Sequence, residues 1–136
     1  MMRNEIFEVV QQSLVDAIGV ELEEVVAEST LLGDLGAESL DLLDVLFRIE
    51  RKLGFKVTMN DITLMITGGI PDEQFGTDEG YISDLGLEKL KENLPQIDVE
   101  SLRGKFEAER VLTLFTVDNL VSLVEMRQAE LPTVSS

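Results

Sequence analysis

Apolar residues in this chain recur at intervals of three and four, and no segment carries a convincing run of alternating apolar and polar residues. Period 3.6 builds amphipathic helices and period 2 builds strands, so the expected fold class is all-α, a small helical bundle. Residues 3–18 set Ile6, Val9, Val10, Leu14, Ala17 and Ile18 at helical spacing, and Gly19 is the expected stop. A second helix is expected from Ser39 to about Leu53, ended by Gly54, with a length of about 22 Å.

The rest of the chain is less regular. Residues 19–38 read as a long connection with a short apolar-acidic turn from Glu21 to Val26, followed by Ser29, Thr30, Gly33 and Gly36. Thr58 is expected to cap a short helix over 59–66, stopped by Thr67, Gly68 and Gly69. Pro71 to Gly80 is acidic and glycine-containing and reads as a mobile loop. Helical spacing returns from Ser83 to Leu94 through Leu85, Leu87, Leu90 and Leu94, and Pro95 breaks it. A turn and a short helix are expected over 95–110. The last helix should start at Thr116, an N-cap with Asp118 in the first turn, and run through Leu120, Val121, Leu123 and Val124 toward Ala129; the tail after Pro132 is expected to fray.

Composition then narrows the chemistry. With no Cys and no His among 136 residues, the chain lacks thiolate and imidazole nucleophiles, histidine acid–base chemistry and the usual zinc, haem and iron–sulfur ligands. A hydrophobic fraction of 44% is enough to bury a core without disulfides. Eleven Lys and Arg against 27 Asp and Glu give a formal charge of −16, which repels phosphate backbones and anionic membranes. Neither nucleic acid nor stable membrane insertion is expected. The N-terminal residues interleave Arg3, Glu5 and Glu8 with apolar positions, unlike a signal peptide, and the expected location is the cytoplasm.

One segment carries the functional signal. Gly33-Asp34-Leu35-Gly36-Ala37-Glu38-Ser39-Leu40-Asp41, followed by a helix ending Arg51-Lys52-Leu53-Gly54-Phe55-Lys56-Val57, closely resembles the phosphopantetheine attachment region of acyl carrier proteins. The family pattern is Asp-Leu-Gly-Ala-Asp-Ser-Leu-Asp; Glu38 departs from it, standing where Asp is usual. The resemblance implies Ser39 as the attachment serine, 4′-phosphopantetheine from coenzyme A as the covalent cofactor, and a phosphopantetheinyl transferase as the loading partner. Ile6–Ile18 resembles the family's first helix, and Phe115-Thr116-Val117-Asp118-Asn119-Leu120 the start of its last. Between Phe55 and Thr116 the chain is several tens of residues longer than an ordinary carrier.

Physical chemistry bears on the same serine. A hydroxyl at the start of a helix, after a glycine-containing loop, is accessible, and a phosphodiester there would face free amides and the positive end of the helix dipole. Read without the flanking match, Ser39 is an ordinary N-cap.

Helix 39–53 has too many apolar residues for one face. Leu42, Leu46, Ile49 and Leu53 form a stripe suited to the core, and Leu40, Leu43 and Phe47 form a second. With Asp34, Glu38, Asp41, Asp44 and Glu50 around it, the second stripe is the expected docking surface for acyl-processing synthases, ligases or acyltransferases, unless the inserted segment covers it. Arg48, Arg51 and Lys52 dilute the acidity that this helix usually shows in the family.

The expected organisation is a single acyl-carrier-like domain, 1–136, with extra helices in an inserted segment, 59–110, that lids an acyl cavity or adds a partner surface. Within it, Ser83-Asp84-Leu85-Gly86-Leu87-Glu88-Lys89-Leu90 repeats five of the eight residues of 33–40, with Lys89 in place of the serine. A recurring loop-to-helix signature explains this better than a decayed duplication. Asp72, Glu73, Asp78 and Glu79 do not follow the calcium-loop order, so no metal is expected. The function expected is a monomeric carrier, with no catalytic residues, holding acyl groups as thioesters in fatty acid, lipid or polyketide-type synthesis. An unmodified interaction module and an aminoacyl or peptidyl carrier are the alternatives.

Overall fold

A computed structural model describes residues 2–130; the expectation for the tail after Pro132 lies outside them. Among the described residues there are seven α-helices and no strand. They are α1 (Arg3–Ile18), α2 (Ser39–Leu53), α3 (Met59–Thr67), α4 (Asp72–Phe75), α5 (Asp84–Asn93), α6 (Val99–Leu102) and α7 (Val117–Glu130), with 3-10 turns at Leu22–Glu24 and Ala108–Leu114. The chain divides into two compact units: one takes the residues up to Met59 and those from Thr116 onward, the other Asn60–Phe115.

In the first unit α1 packs against both α2 and α7. The amphipathic spacing accounts for this, since α1 buries Ile6, Val10 and Leu14, α2 buries Leu42, Val45, Leu46 and Ile49, and α7 buries Leu120, Val121, Leu123 and Val124. Each large aliphatic side chain taken out of water contributes about 1.5–3 kcal/mol. The stripe on α2 is shifted from the expected one. Val45 is buried and Leu53, at the last turn where the chain leaves the core, is only half-buried. Gly19 and Gly54 end their helices at φ +75° and +85°, conformations that residues with a Cβ rarely adopt, and their amides donate to the Val15 and Glu50 carbonyls.

The connection 19–38 contributes Val25, Leu31, Leu35 and Ala37 to the core. It also satisfies the free amides at the start of α7. Val117 N–H donates to the Ser29 carbonyl (2.9 Å) and Asp118 N–H to that of Ala27 (3.0 Å). Thr116 and Asn119 form a reciprocal cap: Thr116 N–H donates to Asn119 Oδ1 at 3.0 Å, and Asn119 N–H to Thr116 Oγ1 at 3.2 Å.

The second unit differs from expectation in several places: Thr67, expected as a stop, is the buried last residue of α3, and the 3-10 turn Ala108–Leu114 runs past the expected end at 110. The stretch 71–80 is not simply a loop: α4 forms one helical turn directly after Pro71, with Asp72 and Glu73 in its first turn and Phe75 buried at its end. Isolated bridges pair Gly76 with Ile82 and Tyr81 with Glu107. Ser83 caps α5 by accepting from Gly86 N–H at 2.9 Å, and Asn93 Nδ2 donates to the Met65 carbonyl at 2.7 Å, tying α5 to α3.

The sequence echo is not a structural one. Asp34-Leu35-Gly36 lies in a loop with Gly36 at φ +72°, whereas Asp84-Leu85-Gly86 is the first turn of α5, which puts Lys89 well inside the helix.

Candidate attachment site and docking face

Ser39 is the first residue of α2, at the end of a loop held by three local devices. Thr30 N–H donates to Asp34 Oδ2 (3.0 Å) while Asp34 N–H donates to Thr30 Oγ1 (2.9 Å). Leu35 N–H donates to the Thr30 carbonyl and Ala37 N–H to that of Leu31. Leu31, Leu35 and Ala37 are buried, so the loop is clamped from below while Glu38, Ser39 and Leu40 stay exposed.

The helix cap belongs to Glu38, not to Ser39. Glu38 is the N-cap residue, and its amide donates to Asp41 Oδ2 at 2.9 Å. The first intrahelical bond runs from Leu42 N–H to the Glu38 carbonyl at 3.0 Å. The N-cap reading of Ser39 is therefore set aside: among the described residues its exposed hydroxyl makes no hydrogen bond. Glu38 replaces the usual Asp and still closes the cap through Asp41.

The expected docking residues are brought to one end and one side of α2. Leu40, Leu43 and Phe47 are 77%, 50% and 54% exposed, so the second apolar stripe faces solvent. The acidic ring is partly committed internally. Asp34 is held by Thr30 and Asp41 by the Glu38 amide, while Asp44 pairs with Arg48 at 3.2 Å. Two participants were not among the expected docking residues. Thr30 fixes Asp34, and a Thr and an Asp four apart before a helix is the only signal for it. Arg51 lies with its guanidinium 5.7 Å from the Phe47 ring centroid.

A phosphopantetheine arm fits these residues. The Ser39 hydroxyl is accessible and not engaged in capping, and the amides of Ser39 and Leu40 have no acceptor within the helix, so a phosphodiester there would meet N–H groups and the positive end of the dipole.

The phosphopantetheine attachment site family matches residues 8–65. The chain is 39% identical over 67 residues to an acyl carrier protein of Thermotoga maritima, covering 49% of this chain and 83% of that one. It is 35% identical over 69 residues to an acyl carrier protein of Saccharopolyspora erythraea, covering 51% of this chain and 73% of that one. To an acyl carrier protein of Chlamydia muridarum it is 37% identical over 60 residues, covering 44% and 78% respectively. No solved structure gives a significant match. With the helical fold and the matched segment spanning α2 and its preceding loop, the chain belongs to the acyl carrier protein family, carriers whose prosthetic group is a covalently attached 4′-phosphopantetheine.

Proposed function

We propose that Ser39 bears the arm and that Leu40, Leu43 and Phe47, ringed by Asp34, Glu38, Asp41 and Asp44, are where the loading transferase and acyl-processing enzymes dock. The observation that carries this reading is the Ser39 hydroxyl: exposed, at the first residue of α2, and left out of a cap made by Glu38 and Asp41. When attached, the arm supplies the thiol that holds an acyl group as a thioester, the sulfur chemistry that a chain without cysteine does not itself contain. The protein's own part is to anchor the arm on a rigid helix end and to present an apolar, acid-rimmed face to basic partner surfaces. The reading includes a monomeric, cytoplasmic, non-catalytic carrier serving fatty acid, lipid or polyketide-type synthesis. It is supported by the acidity and the cysteine-free composition. The segment 59–110, which begins with α3, is read as a folded insertion in that carrier.

Intact mass after incubation with coenzyme A and a broad-specificity phosphopantetheinyl transferase tests the assignment. The wild type is expected to gain one phosphopantetheine and Ser39→Ala none, with unchanged thermal unfolding because the Ser39 hydroxyl makes no hydrogen bond among the described residues. A wild type that gains nothing, or a Ser39→Ala chain that still gains, would sink it.

A further inference from the structure

We propose that the docking face of α2 is built for a polarised partner: a protein surface with an apolar recess, basic groups at the end that meets Ser39, and a carboxylate at the far end that meets Arg51. This deepens the carrier reading and rests on it. The stripe Leu40, Leu43, Phe47 does not stop at Phe47, because Arg51 continues it one turn on. At about 100° per residue, Leu40, Phe47 and Arg51 fall within about 40° of one another, on the side away from the buried Leu42, Val45, Leu46 and Ile49. Arg51 is exposed, with its guanidinium over the exposed Phe47 ring.

The other cations of α2 are engaged: Arg48 pairs with Asp44 at 3.2 Å, and Lys52 Nζ is 3.9 Å from Asp16. Arg51 has no carboxylate partner among the described residues, in a chain whose 27 acids far outnumber its 11 bases. Its contact is instead with the aromatic surface of the stripe. The guanidinium over the ring continues the apolar patch by one turn and leaves its fork of N–H donors for a carboxylate. That pair would be shielded beside Phe47 and correspondingly strong.

The opposite end carries Glu38 and Asp41 within one turn of Ser39, and Asp34 in the loop that leads into it. Over the roughly 18 Å of helix from Ser39 to Arg51 the charge in line with Leu40 and Phe47 thus runs from negative to positive, while Glu50 lies about 100° around the helix from Arg51, at the Leu43 edge. Net acidity steers basic partners toward the carrier. The sign change along α2 fixes which way round they dock, and it penalises a partner that is basic along the whole contact.

The test is the kcat/KM for loading of the full chain by a transferase whose docking rim is basic throughout, measured at low and high salt. Arg51→Glu is expected to raise it about three- to tenfold at low salt, with Arg51→Gln in between and the gain shrinking at high salt. With a transferase variant carrying Glu at the rim position that meets the C-terminal end of α2, the order should reverse, wild type loading faster than Arg51→Glu. Equal rates for all three chains with both transferases, or a fall for Arg51→Glu with the basic one, would overturn the inference while leaving the Ser39 assignment intact. No loading of the wild type at all would overturn that assignment, and this inference with it.

Discussion

The hydrogen-bonded cap of α7 should hold the attachment loop together, and a double-mutant cycle can measure it. Thr116 is 5% exposed and Asn119 2%. Thr116→Val keeps the side-chain shape but removes the acceptor of the Asn119 amide. A buried amide left without a partner costs about 1–3 kcal/mol, and loss of an N-cap about 0.5–2 kcal/mol, so about 1.5 kcal/mol is expected. Asn119→Ala removes the acceptor of the Thr116 amide and some packing, and should cost about 2–3 kcal/mol. Because the two bonds form one reciprocal pair, the double variant should fall short of additivity by at least about 0.5 kcal/mol. Urea unfolding followed by helical circular dichroism reads this. At a slope of about 1.5 kcal/mol/M, Thr116→Val should lower the midpoint by about 1 M. Thr116 also bridges Thr30, whose carbonyl and hydroxyl hold Leu35 and Asp34, so the Leu35 amide should exchange faster in the same variant. Thr116→Val unfolding with the wild type, or strict additivity of the pair, would refute the reasoning.

Two further contrasts use neighbouring residues. Leu42→Ala should cost about 2–5 kcal/mol, because Leu42 is buried in the core, while Leu43→Ala should stay within about 0.5 kcal/mol of wild type yet slow loading by the transferase; unfolding curves and loading rates on the same samples decide it. Gly86→Ala should destabilise the second unit by about 1–3 kcal/mol, since a Cβ there would sit 2.4 Å from the Phe75 carbonyl oxygen and 2.9 Å from Ile82 Cγ2. Hydrogen exchange in α4 and α5 should report it first, and unchanged protection there would count against the packing described.

The long helices were legible because the local signals agree with the tertiary outcome. α1 and α2 begin and end where apolar spacing and the stops Gly19 and Gly54 place them, and Thr116 caps α7 as its sequence suggests. What escaped was whatever lacks a period. α4 is a single turn, too short to repeat a spacing, and its Pro71-Asp72-Glu73 start was masked by the acidic, glycine-containing composition around it. The bridges at Gly76, Ile82, Tyr81 and Glu107 involve single residues and leave no alternation to find. Leu31, Leu35 and Ala37 are buried from an irregular loop. At the site, the motif pointed to Ser39, but its sequence position alone could not separate a capping serine from one whose neighbour makes the cap. That distinction depends on the backbone bend at Glu38 and the reach of Asp41.

The amides of Val117 and Asp118 close on carbonyls of the 27–29 segment, and the whole of α3 to α6 is synthesised between those partners. On a ribosome the chain is made from the N-terminus, so α1 and α2 emerge long before the helix that completes their core. The loop that precedes α2 therefore lacks its α7 anchor until α3 to α6 have been made. The whole of a second compact unit, Asn60–Phe115, is made in that interval. The second unit thereby sets a delay between the emergence of α2 and the closing of the core behind it.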